Sequence, residues 1–99
     1  MKAEAHFRKG ETGLALGIVN QIRTNRGAST LGSLTEQDLL NERGRELYWE
    51  GWRRQDLIRF GVFTQPWEWK PASQAYRVMF PIPQRALDTN PNLVQIKGY

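Results

Sequence analysis

One stretch decides most of what this chain can fold into: residues 34–61, LTEQDLLNERGRELYWEGWRRQDLIRFG. Its opening signals a helix start. Thr35 is placed to accept from the amide of Asp38, Ser33 with Glu36 offers a cap one turn earlier, and Glu36 and Asp38 sit where the helix dipole favours acids. Leu40, Leu47 and Tyr48 follow, with Gly44 and Gly51 between them at steps of three and four, a narrow apolar stripe with room for a close neighbour. A glycine costs a helix interior about 1 kcal/mol relative to alanine, so Gly44 reads as a packing position. Gly51 reads as a break before a second short helix, Trp52 to Phe60, which Gly61 ends. Leu47, Trp49 and Trp52 are expected in the core.

The same stretch alternates charge. Arg43/Glu46, Glu46/Glu50, Glu50/Arg53, Arg53/Asp56 and Asp56/Arg59 lie three or four residues apart, and a helix running straight through would set them in a ladder. Glu46 and Glu50 on one face resemble the paired carboxylates of an acid–base catalyst. An arginine within one turn of each acid favours its ionised form, so a structural ion-pair network is the better reading.

Composition narrows the classes further. The 99 residues suit one small domain. Without cysteine there is no disulfide, no thiolate metal site and no thiol nucleophile, and His6 is the sole histidine. No apolar run reaches the roughly 18–20 residues that span a bilayer, and MKAEAHFRKG does not read as a signal peptide. The net charge is +4, but the arginines interleave with acids, which argues against nucleic acid as a partner.

Residues 2–9 read as the end of a helix that Gly10 breaks, and Thr12 is placed to cap a second helix running to about Thr24. Leu14, Ala15, Ile18, Val19 and Ile22 fall on one face of it. Such a helical hairpin is the unit of tetratricopeptide arrays, in which stability comes from stacked neighbours, and no second copy follows. Residues 25–33 are loop by composition. Residues 62–75 are irregular, with Trp67 and Trp69 between Pro66 and Pro71. Tyr76 to Phe80 alternate like an extended segment, Pro81 and Pro83 force extended geometry at Ile82, and Pro83 is placed to open a short helix through Leu87. The expected fold is mainly α: a tetratricopeptide-like hairpin (1–26), two further helices (34–61) and an irregular, loop-rich C-terminal segment (62–99), taken as one domain.

Three motifs in this order resemble the SusD/RagB family of outer-membrane nutrient-binding lipoproteins. ERGRELYWEGWRRQDLIRFG (42–61) is similar to ERRxEL-x-x-EG-x-R-x-x-DL-x-R-x-G, PIPQRALDTNPNL (81–93) to PIP-x-x-E-(I/L)-x-x-NP-x-L, and the ending at 95–99 to QN-x-GY. AEAHFRKGETGLALGIVNQIRTNRG is similar to the helical repeat that precedes the signature. Gly44, Ala86 and Ile96 depart from the pattern. The family's members are several times longer and carry a lipidated cysteine and several helix pairs, so the resemblance is to a C-terminal piece.

The resemblance implies binding without catalysis and without a cofactor or metal: capture of an oligosaccharide or other nutrient at the surface of the outer membrane, beside a TonB-dependent transporter. Glu42, Arg43, Glu46, Glu50, Arg53, Asp56 and Arg59 would then pin the helices to one another and to the upstream helical repeats. The alternative is a purely structural helical module that packs on those repeats or the transporter and has no ligand site. If residues 67–69 are extended, the rings of Trp67 and Trp69 point to one side, spaced like a sugar-stacking platform, with Glu68, Lys70, Gln65 and Gln74 as polar neighbours and Tyr76 as a further ring. Otherwise they cover an apolar edge.

Overall fold

The computed structural model describes residues 1–99 and is helical, without a sheet: α1 (Lys2–Arg8), α2 (Thr12–Asn25), α3 (Glu36–Glu46), α4 (Arg53–Arg59), a 3-10 turn (Ala75–Val78) and α5 (Gln84–Thr89). It forms two compact units, residues 1–60 and 61–99, with the division where the second signature helix ends.

In the first unit α1 and α2 form the helical hairpin, and Gly10 turns the chain between them at φ +82°. Thr12 does not cap α2. The N-cap is Glu11, whose carboxylate meets His6 Nδ1 and so holds the turn from the other side. Ala15 and Val19 are the buried residues of α2, and with Ala3, Leu34 and Leu39 they make the core against which Phe7, Leu16, Ile18, Leu31 and Phe60 pack. Leu40 is also fully enclosed. Leu14, expected on the buried face, is exposed.

The loop after α2 is held by Asn20, whose side-chain amide donates to the Leu31 carbonyl at 2.9 Å and accepts from the Leu31 amide at 2.7 Å. The start of α3 is a full capping box: Thr35 Oγ1 accepts from the Asp38 amide at 3.1 Å, and Asp38 Oδ2 accepts from the Thr35 amide at 2.9 Å.

After Glu46 the helix stops. Residues 47–52 form an elbow in which Trp49 takes φ +68° and Gly51 φ +78°, and α4 begins at Arg53. A straight ladder of charges therefore does not form. The elbow also overturns one packing expectation: Trp49 is 88% exposed and Trp52 51%, because the left-handed backbone at Trp49 turns the chain before it can continue along the core.

In the second unit, Thr64 and Ser73 are joined by a backbone bond of 2.9 Å at the base of a loop whose tip is a tight turn. Trp67 and Lys70 exchange both backbone bonds, at 3.0 and 2.8 Å, across Glu68 and Trp69. The pairing goes no further, and the sequence shows why. The next residues outward are Pro66 and Pro71, neither of which has an amide to donate.

Residues 75–78 wind into a 3-10 turn in place of the expected extended segment. Alternation alone does not make a strand where no neighbouring strand offers a ladder. Pro83 stands at the N-cap of α5, and its carbonyl accepts from Ala86 at 2.9 Å. The tail then folds back. The Gln95 side-chain amide accepts from the Ile82 amide and donates to the Ile82 carbonyl, each at 2.9 Å, and Tyr99 Oη donates to the Met79 carbonyl at 2.8 Å.

Candidate functional site

The first unit holds three buried acids, and each is bracketed by two arginines. Glu4 accepts from Arg8 at 3.0 Å and from Arg59; Glu42 from Arg23 at 2.8 Å and Arg45 at 2.6 Å; Asp56 from Arg43 at 2.9 Å and Arg59 at 2.8 Å. Arg59 thus bridges Glu4 of α1 to Asp56 of α4, 55 residues from the first. Arg26 adds a two-point contact on Glu46, at 3.0 and 3.1 Å.

Electrostatics follow the geometry. Burial alone would raise the Glu4 carboxyl, but hydrogen bonds and charge from Arg59 and Arg8 prevail and hold it below the ordinary 4.5. Burial opposes Arg43 and Arg59 at Asp56 in the same way, and the arginines again hold the carboxyl below the ordinary 3.8. Glu46 is lowered by its bonds from Arg26. These are ionised anchors.

Of the seven residues predicted to pin the helices, Glu42, Arg43, Glu46, Asp56 and Arg59 lie in these contacts. Glu50 does not: it is exposed in the elbow. Arg53 reaches a backbone atom, the Leu40 carbonyl at 2.7 Å, and not a carboxylate. Glu4, Arg8, Arg23 and Arg26 escaped sequence reasoning. Arg8 stands at i+4 from Glu4 and was findable, whereas the partners of Arg23, Arg26 and Arg59 across the unit leave no spacing signal.

The tryptophans of the second unit are not placed as an extended platform. Trp67 opens the tight turn and Trp69 lies within it, so the i, i+2 argument for rings on one side does not apply. Trp69 is 88% exposed and Trp67 47%. Lys70 is the fastener of this loop. Its Nζ lies 4.7 Å from the Trp67 ring centroid and donates to the Gln65 carbonyl at 3.1 Å, the Pro71 carbonyl at 3.2 Å and Ser73 Oγ at 3.3 Å. An ammonium has three N–H groups, and all three are taken, so Lys70 is not a free donor for a sugar.

Tyr76 is likewise committed. Its ring meets Tyr99 edge-on at 4.9 Å and lies so close to Gly98 that any side chain there would overlap it. The Arg77 guanidinium lies 5.5 Å from the same ring. Tyr76 is half-buried, with these contacts on its ring. The open aromatic surface of the 64–73 loop is Trp69 and one face of Trp67, with Glu68 and Gln65 exposed beside them.

A groove of about 450 Å³ opens in the first unit, with Ala3, Val19, Ile22, Leu39, Leu47 and Trp52 in its wall. Ala3, Val19 and Leu39 are its buried floor, and Ile22, Leu47 and Trp52 are the partly exposed apolar residues at its sides.

Comparison with known proteins fits this architecture. The profile described as "SusD family" matches residues 1–74. The chain is 39% identical over 108 aligned positions to the starch-binding protein SusD of Bacteroides thetaiotaomicron, an alignment that covers 99% of this chain and 19% of that relative. The chain thus spans about a fifth of the relative's length.

Proposed function

The chain belongs to the SusD family, and on that basis we propose that it is the C-terminal part of a cell-surface glycan-binding lipoprotein that captures starch or a related oligosaccharide and does no chemistry on it. The observation that carries this reading is identity of 39% along 99% of the chain to a protein named for starch binding. On this reading the whole protein sits at the outer membrane, works with a TonB-dependent transporter, and packs its upstream helical repeats on residues 1–60. The arginine brackets around Glu4 and Asp56 support a non-catalytic role, since an acid held ionised by two cations neither donates a proton nor accepts one readily at neutral pH.

Within this chain the sugar-stacking surface is the tip of the 64–73 loop. A pyranose has an apolar C–H face, and the exposed indole of Trp69 with the free face of Trp67 offers it a flat partner. Glu68 and Gln65 supply rim contacts to hydroxyls. A site this small and open supports millimolar affinity, about −4 kcal/mol.

A second reading has its own observation. The open apolar groove between α1, α2 and α3 suits a module that is completed by packing against a further helix pair and contributes no ligand site. Titration with malto-oligosaccharides, followed on the four indole N–H resonances, separates the two. Saturable shifts at Trp67 and Trp69 that vanish in Trp69→Ala support the platform. Silence at both indoles, with the fold intact, supports the structural module.

A further inference from the structure

We propose that the elbow between α3 and α4 is a separate ligand site, which takes an anionic sugar. Trp49 is the central residue of the elbow. Its φ of +68° is a conformation in which a bulky L side chain is strained, and such outliers persist where the surroundings or a function retain them. Packing does not retain this one, because the side chain is 88% exposed. Glycine would occupy the position without strain, as Gly51 does two residues on at φ +78°. A ring is held here against both its backbone and its solvent preference.

The ring belongs to a concave surface. Tyr48 meets Trp49 edge-on, with centroids 6.1 Å apart and planes at 84°, and with Trp52 they line a groove of about 610 Å³ between the end of α3 and the start of α4. Three arginines, Arg43, Arg45 and Arg53, share that lining with one acid, Asp56. Arg43 is neutralised by Asp56 and Arg45 by Glu42. Arg53 is engaged only through Nη1, with the Leu40 carbonyl, and has no carboxylate against it.

Gly44 makes this placement possible. A Cβ at Gly44 would stand 2.7 Å from Arg53 Nη1, so any other residue would push the guanidinium off the wall of α3. The groove therefore presents indole and phenol faces beside a cation whose planar fork retains open N–H groups. That pair matches a pyranose bearing an anionic group: the rings take the C–H face, and the guanidinium takes a carboxylate or sulfate at two points. The shared chemistry is a negatively charged sugar, either a uronic acid or a sulfated residue. The site does not involve Trp67 or Trp69.

The test is a titration of the 99-residue chain with tri-galacturonate, a sulfated disaccharide and maltotriose, followed on the Trp49 and Trp52 indole resonances. An anionic sugar should shift both saturably, at least about tenfold more tightly than maltotriose, and should weaken in about 0.5 M salt. The ranking of carboxylate against sulfate names the natural anion. Trp49→Gly should fold at least as well as the parent and lose binding by about tenfold or more. Arg53→Gln should keep the fold and reduce the anionic sugar to the affinity of the neutral one. Equal affinity for maltotriose, shifts confined to Trp67 and Trp69, or full affinity in a folded Trp49→Gly would each overturn the proposal.

Discussion

Replacing Asp56 by asparagine is the sharpest probe of the arginine brackets. Asp56 is 2% exposed, and its carboxylate takes one bond from Arg43 and one from Arg59. Removing one partner of a buried pair costs about 3–5 kcal/mol, because the survivor is left in low dielectric without a counter-charge. The two survivors here differ. The Arg43 side chain is 14% exposed, whereas that of Arg59 is 40% exposed and keeps Glu4. Arg43 therefore bears most of the penalty, and the expected loss is at the lower end, about 3 kcal/mol. Against a total of roughly 5–15 kcal/mol for a domain, that is a large share. Urea unfolding followed by helical circular dichroism should show the midpoint falling by about 2 M for a slope near 1.5 kcal/mol/M. The double variant Asp56→Leu, Arg43→Met should recover much of the loss, since an apolar pair leaves no stranded charge. Asp56→Asn within about 0.5 kcal/mol of the parent, or a double variant no better than the single, would refute the reasoning.

Acid should act through the same groups. Glu4 and Asp56 are lowered in the folded state from 4.5 and 3.8, so their contribution is complete above those values and is lost as pH falls through the lower folded ones. Stability should be flat near neutrality and fall below about pH 4, and the fall should shrink in Asp56→Asn. Packing makes an opposite pair of predictions for two apolar residues. Leu40→Ala empties a fully enclosed site and should cost about 2–5 kcal/mol, whereas Trp49→Ala, at an exposed ring, should stay within about 0.5 kcal/mol of the parent by the same denaturation measurement.

What could be read from the chain was local. Thr35 and Asp38 carry their capping box in their spacing, Gly10 and Gly51 announce breaks, and both hold at positive φ. The helical hairpin and the two signature helices follow from period and punctuation alone. The site was harder because its parts meet through turns. The Trp67–Lys70 turn depends on two backbone bonds, and a Trp-x-Trp spacing reads the same whether the backbone is extended or reversed. Trp49 misled for a similar reason: one left-handed residue changes the direction of the chain, and no periodicity reports it. Glu4 and Arg59 meet across 55 residues, a distance over which a single sequence holds no pairing information.

The two side-chain amides have a consequence for how this chain behaves among copies of itself. Asn20 on Leu31 and Gln95 on Ile82 each answer both the N–H and the C=O of one loop residue, as a neighbouring strand would. Ile82 is the only residue of Pro81-Ile82-Pro83 with an amide to offer, and Gln95 takes it. Extended backbone with open donors and acceptors is the template on which strands from other molecules add and aggregates grow. In this chain such a template is closed from within, by an amide borrowed from the tail, at the one place where two prolines hold the backbone straight.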